Sequence, residues 1–233
     1  HEIGTEPVFA TVFFAAAILI AVAVSIPDAA EVPRQPVRAA VGVIRRSNVP
    51  RLMFVLGAPS LAFGFLVVVA PLKMDDLGAS PWVIAGAFAA GSVVEAMVGP
   101  CIGRVSDRIG RVGPYMVGLA VISVAITAIG LFEPLPLLAV AVVTCAFGAG
   151  LSFTPASTLL TDAATSSGLN QGYASGAANV AWGGGQMLGA VGGGFLAGAA
   201  GYLLPALVTV AIIAAVAVVA RGTVQPMASE IVD

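Results

Sequence analysis

"GRVSDRIGR", residues 103–111, packs three arginines and an aspartate into a chain in which only 9% of residues are charged. An apolar run flanks it on either side, Pro81 to Ile102 before it and Val112 to Phe132 after it. Each run is about 20 residues, the length that an α-helix needs to cross the hydrocarbon core of a bilayer. The stretch therefore reads as a short polar turn between two membrane helices.

Hydrophobic residues make up 59% of the 233 residues, and mean hydropathy is +1.03. A soluble domain carries about a quarter charged residues, so this chain has too few to cover a globule with solvated side chains. Five further apolar runs follow the same pattern: Pro7 to Ile26, Leu52 to Leu72, Leu135 to Leu160, Gly172 to Ala200 and Tyr202 to Ala220. They are too long, and alternate too little, for barrel strands. Helices satisfy their own backbone hydrogen bonds, so lipid tolerates them. The expectation is an all-α polytopic membrane protein with seven transmembrane helices.

Seven spans send the connecting segments alternately to two sides. Arg34, Arg38, Arg45, Arg46, Arg51, Arg104, Arg108, Arg111 and Arg221 fall on one side, and only Lys73 on the other. The arginine-rich side is expected to be cytoplasmic, with the N-terminus outside, the C-terminus inside, and the cell membrane as the location. The chain opens HEIGTEPVF, without a methionine or signal peptide, and this leads to the expectation that it is the later part of a longer protein. Residues 1–27 then hold one helix, 28–50 a central cytoplasmic linker, 51–221 six helices, and 222–233 a cytoplasmic tail.

Within the 103–111 turn, Gly103 is expected to end one helix and Gly110 to bend the chain into the next. The arginines suit an anionic leaflet. Asp107 either pairs with them or stabilises the positive N-terminal end of a neighbouring helix, like a latch. The pattern Gly103-x-x-x-Asp107-Arg108-x-Gly110-Arg111 resembles the cytoplasmic loop signature of the major facilitator superfamily (MFS) of secondary transporters. That signature lies between the second and third helices of each six-helix half, which is its place here counting from Leu52. Val112 departs from it, standing where the family usually has a second basic residue. The resemblance implies the C-terminal six-helix half of the MFS fold plus one preceding helix, helices six to twelve of twelve. It also implies a missing N-terminal half, against whose fifth helix Asp107 would latch.

The run from Gly172 contains Gly176, Gly185, Gly189, Gly193 and Gly194. Their spacing is similar to that of the glycine motif of drug–proton antiporters in the superfamily, with Ala190 in the place of proline. The resemblance implies efflux by antiport; the residues alone favour close helix packing. Asn179, Trp182 and Gln186 share a face of the same helix and can line a cavity or bond between helices. Phe63 and Ser60, with Thr144, Ser152 and Thr154, are further pathway candidates, although such hydroxyls more often bond their own backbone. Pro59 and Pro155 are possible bends. Asp162 is expected to be solvated.

Glu95 is the one acidic residue well inside a run. Its neighbours on that face, Gly91, Ser92 and Gly99, suit a protein interface, so Glu95 is expected to face the bundle. Intramembrane acids are costly and therefore functional by default; coupling to protons or to a cationic substrate competes with a structural hydrogen bond. Cys101 and Cys145 both lie in apolar runs and read as packing residues. The only histidine is His1, and there is no P-loop lysine, no GxSxG element and no pair of intramembrane aspartates. Neither an enzyme nor a cofactor nor a metal is expected. The expected partners are the bilayer, a small-molecule substrate and protons, with no nucleic acid. The function read from this is alternating-access transport of a small organic solute. The alternatives are a seven-helix ligand receptor and a non-transporting remnant.

Overall fold

The computed structural model describes residues 6–25 and 35–229. Regular structure there is entirely helical, in eight helices: α1 (Glu6–Ser25), α2 (Val37–Arg46), α3 (Val49–Asp76), α4 (Pro81–Ile109), α5 (Val112–Leu131), α6 (Leu135–Ser166), α7 (Gln171–Ala200) and α8 (Leu203–Ser229). Residues 28–34 of the expected 28–50 linker, Arg34 among them, lie outside the described residues. Two compact units form, His1–Arg34 and Gln35–Asp233.

In the first unit α1 is apolar all round, with Phe9, Phe13, Phe14 and Ile18 exposed. Such a helix suits lipid on every side.

In the second unit α3, α4, α5, α6 and residues 203–222 of α8 are long and apolar enough to cross a membrane. The sequence reading of seven spans differs from these five at α1, whose described apolar part is only Phe9–Ser25, and at α7. The latter is as long as the others and uncharged, but it is so rich in glycine that its hydropathy is diluted. The unit is built on α3 and α6. α6 packs against α4, α5 and α3; α3 packs against α7; and α8 closes the back against α5, α3 and α7. Leu56, Phe65, Ile122, Ile126, Leu138 and Leu160 fill the core. Tyr115 on α5 is fully buried and donates from Oη to the Val55 carbonyl of α3 at 2.8 Å, so its hydroxyl does not go unsatisfied in an apolar core.

Three helix ends correct the sequence reading. Gly103 does not end a helix, because α4 runs through it to Ile109. Ser106 bonds back to the Gly103 carbonyl at 3.0 Å, and Ile102 and Ser106 turn inward, so this turn has its own packed face. Only Gly110 (φ 89°) and Arg111 connect α4 to α5, and a left-handed φ of this kind favours glycine. α6 continues to Ser166, and α8 to Ser229, into the segment expected as a tail. The linker also holds a helix, α2, that the apolar-run reading did not separate. Pro59 and Pro155 both sit inside continuous helices.

Candidate functional site

The site is organised by the contact between α3 and α7. Ala174, Ala177, Ala181, Gly185, Gly189 and Gly193 recur at three and four residues and are all buried, which makes a flat ridge along one face of α7. A Cβ on Gly189 would run into the Leu61 carbonyl, and one on Gly64 into the Gln186 carbonyl. At Gly185 it would come within 2.6 Å of the Gly57 carbonyl, and at Gly193 within 3.0 Å of Val69. Gly194 meets Val68, whereas Gly176 meets nothing. Of the five glycines singled out in the sequence, Gly185 and Gly189 thus bring two backbones together, Gly193 and Gly194 fit against α3 side chains, and Gly176 does neither.

This close approach places side chains from three helices together near mid-helix. The Ser60 hydroxyl donates to the Trp182 carbonyl across the α3–α7 seam. The Trp182 ring lies 5.6 Å from Phe63 and 4.7 Å, edge to face, from Phe153 of α6. Such geometry suits the aromatic quadrupoles. Phe63 and Trp182 were expected to line a cavity; Phe153 was not foreseen, because nothing in its local sequence marks it. Gln186 is half-buried one turn beyond Trp182, and Asn179 is exposed one turn before it. Thr144 and Ser152 bond the carbonyls of Val140 and Gly148 in their own helix at 2.8 and 2.9 Å, whereas Ser60 alone of these hydroxyls reaches across to another helix.

Glu95 is half-buried near the middle of α4, on the side that packs against α6. Gly91 fits against Ala146, and Gly150 fits against Val98 and the Glu95 backbone. Gly99 and Gly103 approach Thr154. Ser92 is exposed. Gly150 and Phe153 are one turn apart on α6, so Glu95 and the aromatic cluster stand at similar depth along that helix.

At the end where α4 meets α5, Arg111 donates to Asp162 of α6 at 2.5 Å. Asp162 is exposed, as expected of a solvated carboxylate, and is also paired. The pair ties the start of α5 to the last turns of α6. Gly103 is part of the α4 packing face, while Asp107 and Arg108 are exposed, and Asp107 forms no ion pair among the described residues.

The opposite end holds a constellation that sequence reading missed. Lys73 is 5% exposed and donates to the carbonyls of Ile129 and Gly130 at 2.8 and 3.0 Å. Both belong to the last turn of α5, whose carbonyls have no partner within the helix and carry its negative dipole end. Its ammonium also lies 5.6 Å from the ring of Tyr202. Tyr202 donates to Asp76. Burial, that hydrogen bond and the charges of Asp76 and Asp75 push the phenol up to about 12.

A groove of about 670 Å³ runs along α3, α7 and α8, past Phe54, Leu61, Leu188 and Val208. Phe63, Asn179, Trp182 and Gln186 do not line it. Its wall is almost wholly apolar, which suits acyl chains better than a polar solute. Both cysteines are free, Cys145 buried and Cys101 exposed.

Among known families, the model described as Major Facilitator Superfamily matches residues 3–168 and, overlapping, residues 52–230. No curated protein matches the chain.

Proposed function

The chain belongs to the Major Facilitator Superfamily of membrane transporters, and from that premise we propose that it exchanges a small organic solute, drug-like in character, for protons by alternating access. In this reading seven helices span the membrane, α1 and α3 to α8, and the arginine-rich ends face the cytoplasm of the cell. Residues 51–221 form the C-terminal half; 1–27 hold the last helix of an N-terminal half, 28–50 the linker and 222–233 the tail.

Two exposed helix faces support a second half. Val93 and Met97 on α4, and Val180, Met187, Val191 and Phe195 on α7, are all exposed apolar residues. They flank α6 and α3, so a partnering bundle would cover them and enclose Phe63, Phe153 and Trp182 at the midplane, where such carriers bind substrate. Asn179 and Gln186 would add hydrogen bonds there. Asp107, exposed at the end of α4, would latch on that partner; Arg108, Gly110 and Arg111 would shape the segment that moves with it.

The observation that carries the reading is Glu95 at the depth of the aromatic cluster. A carboxyl group there takes a proton from one side, crosses the cycle neutral, and releases it to the other side. Substrate occupies the same cavity in the deprotonated state, so the two fluxes run in opposite directions. The test is transport by the complete protein in proteoliposomes with an imposed pH gradient. Glu95→Gln should abolish gradient-driven accumulation and leave substrate exchange without a gradient. Unchanged gradient-driven accumulation in that variant would remove Glu95 from the mechanism.

A further inference from the structure

Helix α2 reaches the core through a single fully buried residue. Of its ten residues, VRAAVGVIRR, Ala40 joins the core of the second unit, and Val43 and Ile44 pack against it. Val37 and Val41, four residues apart on one face, are 66% and 43% exposed. Arg38 and Arg45 lie on the adjoining face, seven residues apart, and both are exposed, as is Arg46. From Gln35 to Arg51 there are four arginines and no acidic residue.

The two ends of α2 fix how it lies. Before it, the Gln35 amide donates to the Gly168 carbonyl at 3.0 Å and accepts from the Asn170 amide at 2.9 Å. The Tyr173 hydroxyl donates to the Gln35 carbonyl at 2.9 Å. The start of α2 is therefore clamped on the turn between α6 and α7. Its other end passes through Ser47 and Asn48 into α3. Ten residues of helix span about 15 Å, one to two interhelix distances, so α2 runs across the end of the bundle and does not extend α3. Beside it a cavity of about 560 Å³ is lined by Gly42, Arg46, Ser47 and Ser167, among others. Gly42 leaves open space where a Cβ would be.

We propose that α2 is an in-plane anchor for anionic phospholipids of the leaflet on which it lies. Val37 and Val41 enter the boundary of the acyl chains. Arg38 and Arg45 meet headgroup phosphates, and the Arg46 guanidinium offers donors for one headgroup in the cavity, beside Ser47 and Ser167, whose hydroxyls already donate to the Ile44 and Ala163 carbonyls. A helix with a basic face beside an apolar stripe binds a bilayer in this way. The partner is at hand, because α2 leads directly into a membrane-crossing helix. Through the Gln35 clamp, the charge of the leaflet acts on the α6–α7 turn. None of this depends on the transported substrate or on which compartment the leaflet faces.

Two measurements on the whole chain test it. The first counts lipid adducts by native mass spectrometry as phosphatidylglycerol or phosphatidylcholine is added. The Arg38→Gln, Arg45→Gln, Arg46→Gln triple variant should lose about tenfold or more of the preference for phosphatidylglycerol, and the matching triple lysine variant should keep most of it. The second places a bimane on Val41→Cys in a Cys101→Ser background, in phosphatidylcholine nanodiscs with and without phosphatidylglycerol. A nitroxide at headgroup depth should quench it more strongly when phosphatidylglycerol is present. A glutamine variant that retains the preference overturns the proposal. So does bimane quenching that ignores lipid charge.

Discussion

At the scale of single residues, Lys73 shows how a charge can be buried at the edge of a membrane bundle. A desolvated ammonium is costly unless it is fully hydrogen-bonded. Here it holds two carbonyls that end α5 and lies over the Tyr202 ring, so the cost is offset by contacts that bind three helices. Lys73→Met keeps the stem and removes the donors, leaving both carbonyls bare. It should lower stability by about 1.5–3 kcal/mol, seen as an earlier thermal unfolding of the detergent-purified protein. An unchanged midpoint would mean that water satisfies those carbonyls equally well. Tyr202 adds a pH dependence. Its folded pKa is raised above the ordinary 10, so its contribution is complete below pH 10 and fades as pH rises toward 12. Tyr202→Phe should flatten that alkaline loss of stability. None of this was readable from the sequence, where Lys73 is simply the one cation on its side. The ends of α5 and α8 meet it only after the chain has folded, from positions some 56 and 129 residues away.

At the scale of elements, the glycine ridge of α7 and the ends of the helices differ in how far sequence could carry them. Gly185, Gly189 and Gly193 could be read as a packing face, because small residues at helical spacing let backbones approach in lipid. Their partner could not be read, since α3 supplies Gly57, Gly64 and Leu61 without a comparable ridge. Gly189→Leu should therefore separate α3 from α7 and lower stability by at least about 2 kcal/mol. It should also move Trp182 off Phe63 and Phe153, read as a shift in tryptophan emission. Gly176→Ala, where a Cβ meets nothing, should leave both readouts unchanged, and equal damage from the two variants would show that glycine content rather than the α3 contact matters. Helix starts were legible: α4, α5 and α6 begin where their apolar runs begin. Ends were not. A hydropathy run stops where lipid stops, whereas a helix stops where its last carbonyls find other partners, and α4, α6 and α8 all continue past their runs on the arginine-rich side.

At the scale of the molecule, the contacts within the second unit sort the chain into two ends. Asp76 with Tyr202, and Lys73 with Gly130, gather the ends of α3 and α5 and the start of α8. Gln35 with Gly168, and Arg111 with Asp162, gather α2, the α4–α5 connection and the α6–α7 turn. The arginines at 38, 45, 46, 51, 104, 108 and 111 all belong to the second end, and Asp75, Asp76 and Glu133 to the first. The alternation read from hydropathy alone thus agrees with where folding places the described residues of this unit, because six helices of similar length can only put odd and even connections at opposite ends. The bilayer turns that geometric polarity into a sidedness that can be measured. Single cysteines at 75, 133, 46 and 104 in a Cys101→Ser chain, exposed to a membrane-impermeant maleimide in oriented vesicles, should react in two groups. Lys73 itself is too buried to serve, and its exposed neighbour Asp75 takes its place. Positions 75 and 133 should label from one face and positions 46 and 104 only from the other, with the second group on the cytoplasmic side because cationic residues are retained there during insertion. Labelling of 75 and 104 from the same face would break the assignment of these two ends to opposite faces of the membrane. Two groups with 46 and 104 facing outward would keep the fold and reverse the orientation.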